Sequence, residues 1–447
     1  MKIKLLTTTY QNELISREEE EIFAVADSDS RELNVLNIYP EIKYQKMLGF
    51  GGAITESVGT ILNQIPKELA NEVMDLYFGD QGIGYRFVRS HLDSCDFALG
   101  NYSAVEDGED ANLTTFSIGR DETNIIPHIK AAYSKARSQL SVMLSPWSPP
   151  AFMKTNQSKN GGGKLKKEYY ELWANYICKY IKEYQKQGIM VDMITIQNEP
   201  NAVQTWDSCT YTSDEEREFL QYFLYPELKR QGLVDIKVFI WDHNKERLYE
   251  RARDIITDET DKMVDGLAFH WYSGDHFDAL KLVREQYPNK LMVFTEGCIE
   301  YSRLDKSAQL QNAQMYGHDI IGNLNNGMNL FFDWNIVLNE EGGPNHVGNY
   351  CEAPIICDIK NQKLIKKLSF YYIEHFSRFI KSGAVRIATT IFSDNIEVTA
   401  FQNTDKSITI VMLNRTKKDI EVFTRIEGKM FKVLSKKQSI STIVLEQ

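Results

Sequence analysis

Two glutamates stand in settings suited to chemistry. Glu199 lies in Gln197-Asn198-Glu199-Pro200-Asn201, and Glu296 lies in Phe294-Thr295-Glu296-Gly297-Cys298. Each ends a short apolar run, Asp192 to Glu199 and Leu291 to Glu296. Two carboxylates on separate strand ends can split an acetal: one protonates the leaving oxygen, while the other attacks carbon or activates water. A separation of about 5–5.5 Å gives retention of configuration and about 6.5–9.5 Å gives inversion. Either glutamate alone also reads as a strand-end carboxylate in a salt bridge, since ion pairs perturb carboxylates as well. The pair, with Asn198 beside one member, favours the chemical reading.

The ends of the other apolar runs carry compatible groups: Arg89 and His91, with Asp93 and Asp96 just beyond; Trp147; Trp241, Asp242, His243 and Asn244; His270, Trp271 and Tyr272; Asp333, Trp334 and Asn335. Carboxylates, Arg, Asn, His and four tryptophans make a poor phosphate site and a good sugar site, because sugars offer hydroxyls to polar groups and C–H faces to indoles. Of such a pair, the acid must rest protonated and the nucleophile must rest charged.

These residues need a scaffold that brings strand ends together. Eight short apolar runs occur in order: Lys46 to Gly52, Tyr85 to His91, Leu140 to Trp147, Asp192 to Glu199, Ile236 to Asp242, Gly266 to Tyr272, Leu291 to Glu296 and Asn329 to Trp334. Continuous apolar runs suit strands covered on both faces. Helical patterns lie between and after them, at Pro66 to Phe78, Glu168 to Gln187, Ser213 to Arg230, Lys306 to Ile321 and Leu364 to Ile380. Pro66 opens the first of these, and Ser213 with Glu216 reads as a capping box. The alternation predicts an α/β fold, a (β/α)8 TIM barrel with enlarged loops whose site lies at the C-terminal strand ends. A doubly wound open sheet is the alternative, but Phe50-Gly51-Gly52 lacks the GxGxxG spacing. After Lys381 the texture becomes alternating (IEVTAFQN, SITIVMLN, DIEVFTRI, STIVLEQ), which predicts an appended antiparallel β-sandwich. The strand-like TTTYQ, EIFAV and LNVLNIY near the start are expected to join it. The division is therefore a catalytic barrel over 46–380 and a β-sandwich side domain from 1–45 plus 381–447.

Composition removes other classes. The 447 residues are 43% hydrophobic and 25% charged, as in globular chains, and the net charge of −11 with scattered Lys and Arg argues against nucleic acid. No apolar run approaches the length of a membrane span, and the N-terminal apolar stub is too short for a signal peptide, so a cytoplasmic location is expected. The six cysteines contain no CxxC pair and read mostly as buried free thiols, although Cys298, two residues past Glu296, is exposed to thiol reagents if the pocket admits them. His270 and His276 do not have a zinc spacing, so no metal is expected and no cofactor. Gly161-Gly162-Gly163-Lys164 lacks the phosphate-loop pattern and reads as a loop.

Six segments in order, FGGAITES, SPWSPPAFMKTN, IQNEPN, FHWY, FTEGC and DWNIVLNEEGGPNHVGNY, resemble glycoside hydrolase family 30, in its glucosylceramidase-like branch. The resemblance runs from about Gly49 to Asp358. It implies Glu199 as general acid/base and Glu296 as nucleophile in a retaining double displacement; with those roles, Glu199 is expected with a raised pKa and Glu296 beside the fixed charge of Arg89. It further implies that Asn198 binds the sugar 2-hydroxyl, that Arg89 and Tyr272 attend the nucleophile, and that Asp96, Trp147 and Trp334 hold the sugar hydroxyls. By the same resemblance Asn349 lies near that pocket and His270 lines it without a metal. The expected function is hydrolysis of the terminal non-reducing sugar, a β-glucoside, from small soluble glycosides. An endo-acting β-glycanase of the same family and a non-catalytic glycan-binding barrel are the alternatives. The expected partner is a small-molecule glycoside, with no nucleic acid and no membrane span.

Overall fold

The computed structural model describes residues 2–27, 29–137 and 140–446. Eight parallel strands close into a barrel: Gly49–Ala53, Phe87–Leu92, Ser141–Pro146, Val191–Thr195, Lys237–Asn244, Gly266–His270, Leu291–Glu296 and Leu330–Asn335. They are numbered one to eight in that order. The last pairs with the first, Phe331 opposite Phe50 and Phe332 opposite Gly51. Buried side chains of strands three to eight, Met143, Met193, Phe239, Ala268, Val293, Leu330 and Phe332, form one apolar cluster that fills the barrel. Gly51 is a steric necessity here, because a Cβ would lie 2.2 Å from the Phe87 carbonyl oxygen of strand two.

Several element limits differ from the sequence expectation. Tyr272 and Glu199 lie beyond their strands, which end at His270 and Thr195. The capping box is one residue earlier, with Thr212 as N-cap and Glu215 closing it, because the carboxylate three positions after Thr212 reaches back to its amide. The helical run that follows is continuous but passes through a π-helical turn at Leu220–Leu224. Pro226 in the next turn has no N–H to continue the regular ladder. Lys363–Lys366 is a strand, and the helix begins only at Leu368.

The second layer is a ten-stranded sheet built from both ends of the chain. The strand Lys2–Gln11 pairs antiparallel with Ser439–Glu446, Ile3 opposite Leu445. Val35–Lys46 pairs antiparallel with Val385–Ile391 but parallel with Ile420–Ile426, so the sheet is mixed at one position rather than wholly antiparallel. Lys46 closes that strand instead of opening the barrel. Ile3, Leu5, Leu36, Ile38, Ile410 and Ile443 form part of its own core. The barrel helix Leu368–Ser377 docks on this sheet through His375, whose ring nitrogens lie 2.8 Å from the hydroxyls of Thr8 and Thr442.

Candidate active site

The mouth of the barrel gathers the strand ends into one polar cavity of about 170 Å³, lined by residues that include Asp96, Trp147, Asn198, Glu199, Tyr272, Glu296, Trp334 and Asn349. Eight of the ten sequence-derived candidates line it directly. Arg89 and His270 sit beneath, fully buried.

Arg89 is the organising cation. Its Nη1 donates to Glu296 Oε2 at 2.8 Å, its Nη2 to Asn198 Oδ1 at 2.8 Å and to Asp242 Oδ2 at 2.9 Å, and its Nε to Ser145 Oγ at 3.2 Å. One planar fork thus ties strands two, three, four, five and seven together. The Tyr272 hydroxyl donates to the other oxygen of Glu296 at 3.0 Å. Burial raises the Glu296 carboxyl, and the charges of His270 and Arg89 oppose that rise.

Glu199 is held from the other side. His270 Nδ1 lies 3.2 Å from Glu199 Oε1, and His270 Nε2 lies 3.1 Å from Asp242 Oδ1. The expectation of a raised pKa for Glu199 is overturned. Burial does raise it, but the nearby His243 ring and the hydrogen bond and charge of His270 outweigh burial and lower it to about 2. His243 is itself held below the ordinary imidazole value by burial, which leaves His270 as the charged partner at neutral pH. Burial lowers His270, yet the charge of Glu296 and the bonds from Asp242 and Glu199 raise it to about 9. At neutral pH the proton of this pair therefore rests on His270, one hydrogen bond from Glu199. A carboxylate oxygen of Glu199, one of Glu296 and a ring nitrogen of His270 all lie within 4.8 Å of one another.

Asp242 was legible only as a strand end, and it proves to be the hub. Its Oδ2 accepts from Arg89 and from Thr195 Oγ1 at 2.6 Å, and its Oδ1 accepts from Thr295 Oγ1 at 2.6 Å. Arg89 first among its partners, these groups overcome burial and hold its carboxyl far below the usual range. The backbone shows how it gets there. Strand five bulges between Trp241 and His243 against strand six, and Trp241 and Asp242 take φ of 76° and 50°. Glu199, at φ 49°, donates its amide to the Asp242 carbonyl at 2.9 Å. Left-handed backbone at non-glycine residues costs about 1–3 kcal/mol each, and it persists where packing and hydrogen bonds over-determine it. An alternation pattern carries no signal for a bulge, so only the run Trp241-Asp242-His243-Asn244 of polar and aromatic strand-end types pointed here.

The sugar-facing walls are aromatic and amide. Trp147 and Trp334 stack with ring centroids 5.4 Å apart, and the Arg89 guanidinium lies 4.8 Å from the Trp147 ring centre. Asn349 Nδ2 donates to Asp96 Oδ2 at 3.1 Å, and both residues line the cavity. Burial, with the charge of Glu296 adding, raises Asp96 to about 8, so at pH 7 it is protonated and can donate as well as accept. His91 and Asp93 serve the support instead: His91 Nε2 accepts the Glu56 amide at 3.0 Å, and Asp93 accepts from the Tyr176 hydroxyl at 2.7 Å. Asp275 pairs with His318 at 3.0 Å, away from His270. Asn244, at the end of strand five, lines the cavity as its position suggested, whereas Gln204, Trp206, Glu300 and Arg303, which also line it, were not singled out from sequence, because they lie beyond the barrel-strand ends where no pattern marks them.

Comparison with known proteins identifies the family. Residues 47–380 match the glycosyl hydrolase family 30 TIM-barrel domain, and residues 383–443 match the glycosyl hydrolase family 30 beta sandwich domain. The chain is 32% identical to the lysosomal acid glucosylceramidase of Mus musculus, over 86% of this chain and 78% of that protein. It superposes on the crystal structure of SrfJ from Salmonella typhimurium with a TM-score of 0.95 and 37% identity, covering 100% of both chains. A solved endo-beta1,6-glucanase follows with a TM-score of 0.86 and 25% identity, over 99% of this chain and 98% of that one. With two family models matched in order along the barrel and the sandwich, the chain belongs to glycosyl hydrolase family 30 and is a glycoside hydrolase.

Proposed function

We propose that this glycoside hydrolase is a retaining exo-β-glycosidase, with Glu296 as nucleophile and Glu199 as acid/base, that releases a terminal non-reducing β-glucosyl unit from small soluble glycosides. The observation that carries this reading is the approach of Glu199 and Glu296 oxygens to within 4.8 Å. That spacing suits direct attack and leaves no room for the water an inverting enzyme places between its carboxylates.

Glu296 attacks the anomeric carbon while the bond to the leaving oxygen breaks and Glu199 delivers a proton to that oxygen. Glu199 receives that proton from His270 across their hydrogen bond. Arg89 and Tyr272 hold the two Glu296 oxygens and keep one aimed at the sugar. In the second step Glu199 takes a proton from water, the water oxygen bonds the anomeric carbon, and Glu296 leaves. Esterification removes the charge of Glu296, the main force holding the proton on His270, so the protonation of the pair follows the covalent state of the nucleophile.

The small volume of the cavity, about 170 Å³, supports removal of a single terminal sugar. The polar outer lining of Gln204, Asn244, Glu300 and Arg303 around Trp206 supports a hydrophilic leaving group over an acyl chain. The likeness to a glucosylceramidase supports glucose as the sugar. The likeness to an endo-beta1,6-glucanase favours an endo-acting β-glycanase as the second reading.

A panel of nitrophenyl β-glycosides tests the proposal, with the β-glucoside expected to be turned over fastest. Glu296→Ala should lower that rate by about 10³-fold or more, and azide should restore turnover as the α-glycosyl azide. Undiminished hydrolysis by the variant, or oligomers as first products from a glucan, would replace this reading.

A further inference from the structure

The loop that follows Glu296 and the loop that carries Asn349 meet in a two-residue ladder. Ile299–Glu300 pairs antiparallel with Cys351–Glu352, Glu300 opposite Cys351 and Ile299 opposite Glu352. Cys298 immediately precedes this strand, two residues before Glu300, the partner of Cys351, which sets Cys298 diagonally across the ladder from Cys351. Each thiol shifts the titration of the other. Of the six cysteines, these two line the sugar cavity, although both are nearly buried at 3% and 1% exposure. Cys298 Sγ lies 3.4 Å from the Tyr272 hydroxyl, which is the donor to Glu296. Cys351 Sγ lies 3.6 Å from the Asn349 carbonyl oxygen. The double displacement uses neither sulfur. The described residues offer no third His, Cys, Asp or Glu ligand beside them; the one such grouping of three is Glu199, His270 and Glu296. A metal site is therefore set aside in favour of direct thiol chemistry.

We infer that Cys298 and Cys351 form an oxidisable dithiol in the wall of the sugar cavity, and that a hydroperoxide joining them as a disulfide switches the enzyme off reversibly. One thiol, as its thiolate, attacks a peroxide oxygen; the O–O bond breaks, water leaves and a sulfenic acid forms. The second sulfur attacks the sulfenic sulfur; the S–O bond breaks, a second water leaves and the S–S bond forms. Two thiols and one hydrogen peroxide thus become one disulfide and two waters, sulfur being oxidised and peroxide reduced. Burial holds the Cys298 thiol protonated, so the reaction is slow at neutral pH and limited to oxidants small enough to enter the cavity.

The geometry gives the bond its consequence. Diagonal partners lie about 7–8 Å apart, and a disulfide spans Cα atoms about 4.4–6.8 Å apart. The two loops must close on each other. One carries the residue two positions after the nucleophile and the other the residue two positions after Asn349, so closure displaces both walls of the cavity. A bond formed against such displacement is strained and readily reduced, the property of a regulatory rather than a structural disulfide.

The test exposes the full chain to hydrogen peroxide and then to dithiothreitol. Non-reducing peptide mass spectrometry should find the Cys298 and Cys351 peptides joined, two hydrogens lighter than their sum. Activity on the best glycoside of the panel should fall about 100-fold, the scale expected when a reacting group shifts by about 1 Å, and should return on reduction. Cys351→Val and Cys298→Ser, each measured against its own untreated activity, should both resist the oxidant. Absence of the joined peptide overturns the inference. So does equal loss of activity in both variants. The mass readout stands whichever glycoside the enzyme prefers.

Discussion

At the scale of single residues, His270 sets how the site behaves with pH. Its pKa is raised to about 9, so the proton it shares with Glu199 is present below that pH and lost as pH rises through it. Hydrolysis of an alkyl glycoside, whose leaving group needs the proton, should therefore fall above about pH 9. A dinitrophenyl glycoside, whose leaving group does not need it, should keep its rate further into alkali. In His270→Asn the proton would rest on the Glu199 carboxyl alone, and the alkaline limb for the alkyl glycoside should move to lower pH. Rate profiles of both substrates for both proteins check this, and an unmoved limb would remove His270 from the proton path. The types and neighbours of Glu199, Glu296, Asn198 and Arg89 were enough to nominate them from the sequence. The protonation of Glu199 was not legible, because it depends on His243 and His270 approaching from two other strands.

At the scale of elements, the barrel positions these groups through departures from regular strands. Register shifts fall at Asp242 in strand five, at Thr295 in strand seven and at Trp334 in strand eight, each at the mouth. Each inserts a residue and re-aims its neighbours, a recurrent use of bulges beside active sites. A sequence pattern finds the apolar run and misses the bulge, because the extra residue changes only where side chains point. The opposite requirement holds at Gly51, where strand one approaches strand two too closely for any side chain. Gly51→Ala should cost about 2 kcal/mol or more, since backbone rather than a movable side chain stands in the way. Chemical denaturation measures this, and a variant within about 0.5 kcal/mol of the parent would show that the barrel seam yields.

At the scale of the whole molecule, the β domain and barrel share a buried seam at His375. Burial lowers its pKa to about 3, so the folded chain holds a neutral imidazole between Thr8 and Thr442. In the unfolded chain the same ring takes a proton below about pH 6.5. The unfolded state then binds more protons, so this site withdraws stability as pH falls from about 6.5 toward 3. Urea midpoints measured from pH 7 to pH 4 should fall less steeply in His375→Asn than in the parent. Parallel slopes would mean that the seam is not where the acid sensitivity lies. Both ends of the chain reach this seam, because Thr8 comes from the first strand and Thr442 from the last.

The sequence by itself determined the local terms. Alternation of apolar runs with helical stretches is enforced by burial on both strand faces, and it dictates a barrel with its site at the strand ends. Six short motifs in order mark the family, and the strand-end residue types mark the sugar chemistry. Tertiary structure decided what depends on distances between groups far apart in the chain. It brought oxygens of Glu199 and Glu296 within 4.8 Å of each other, placed the resting proton on His270, made Asp242 the hub between both glutamates, and brought Cys298 and Cys351 into the wall of one cavity. Those properties arise from electrostatics and hydrogen bonding across strands, which fall off over a few ångströms and have no counterpart in residue spacing along the chain.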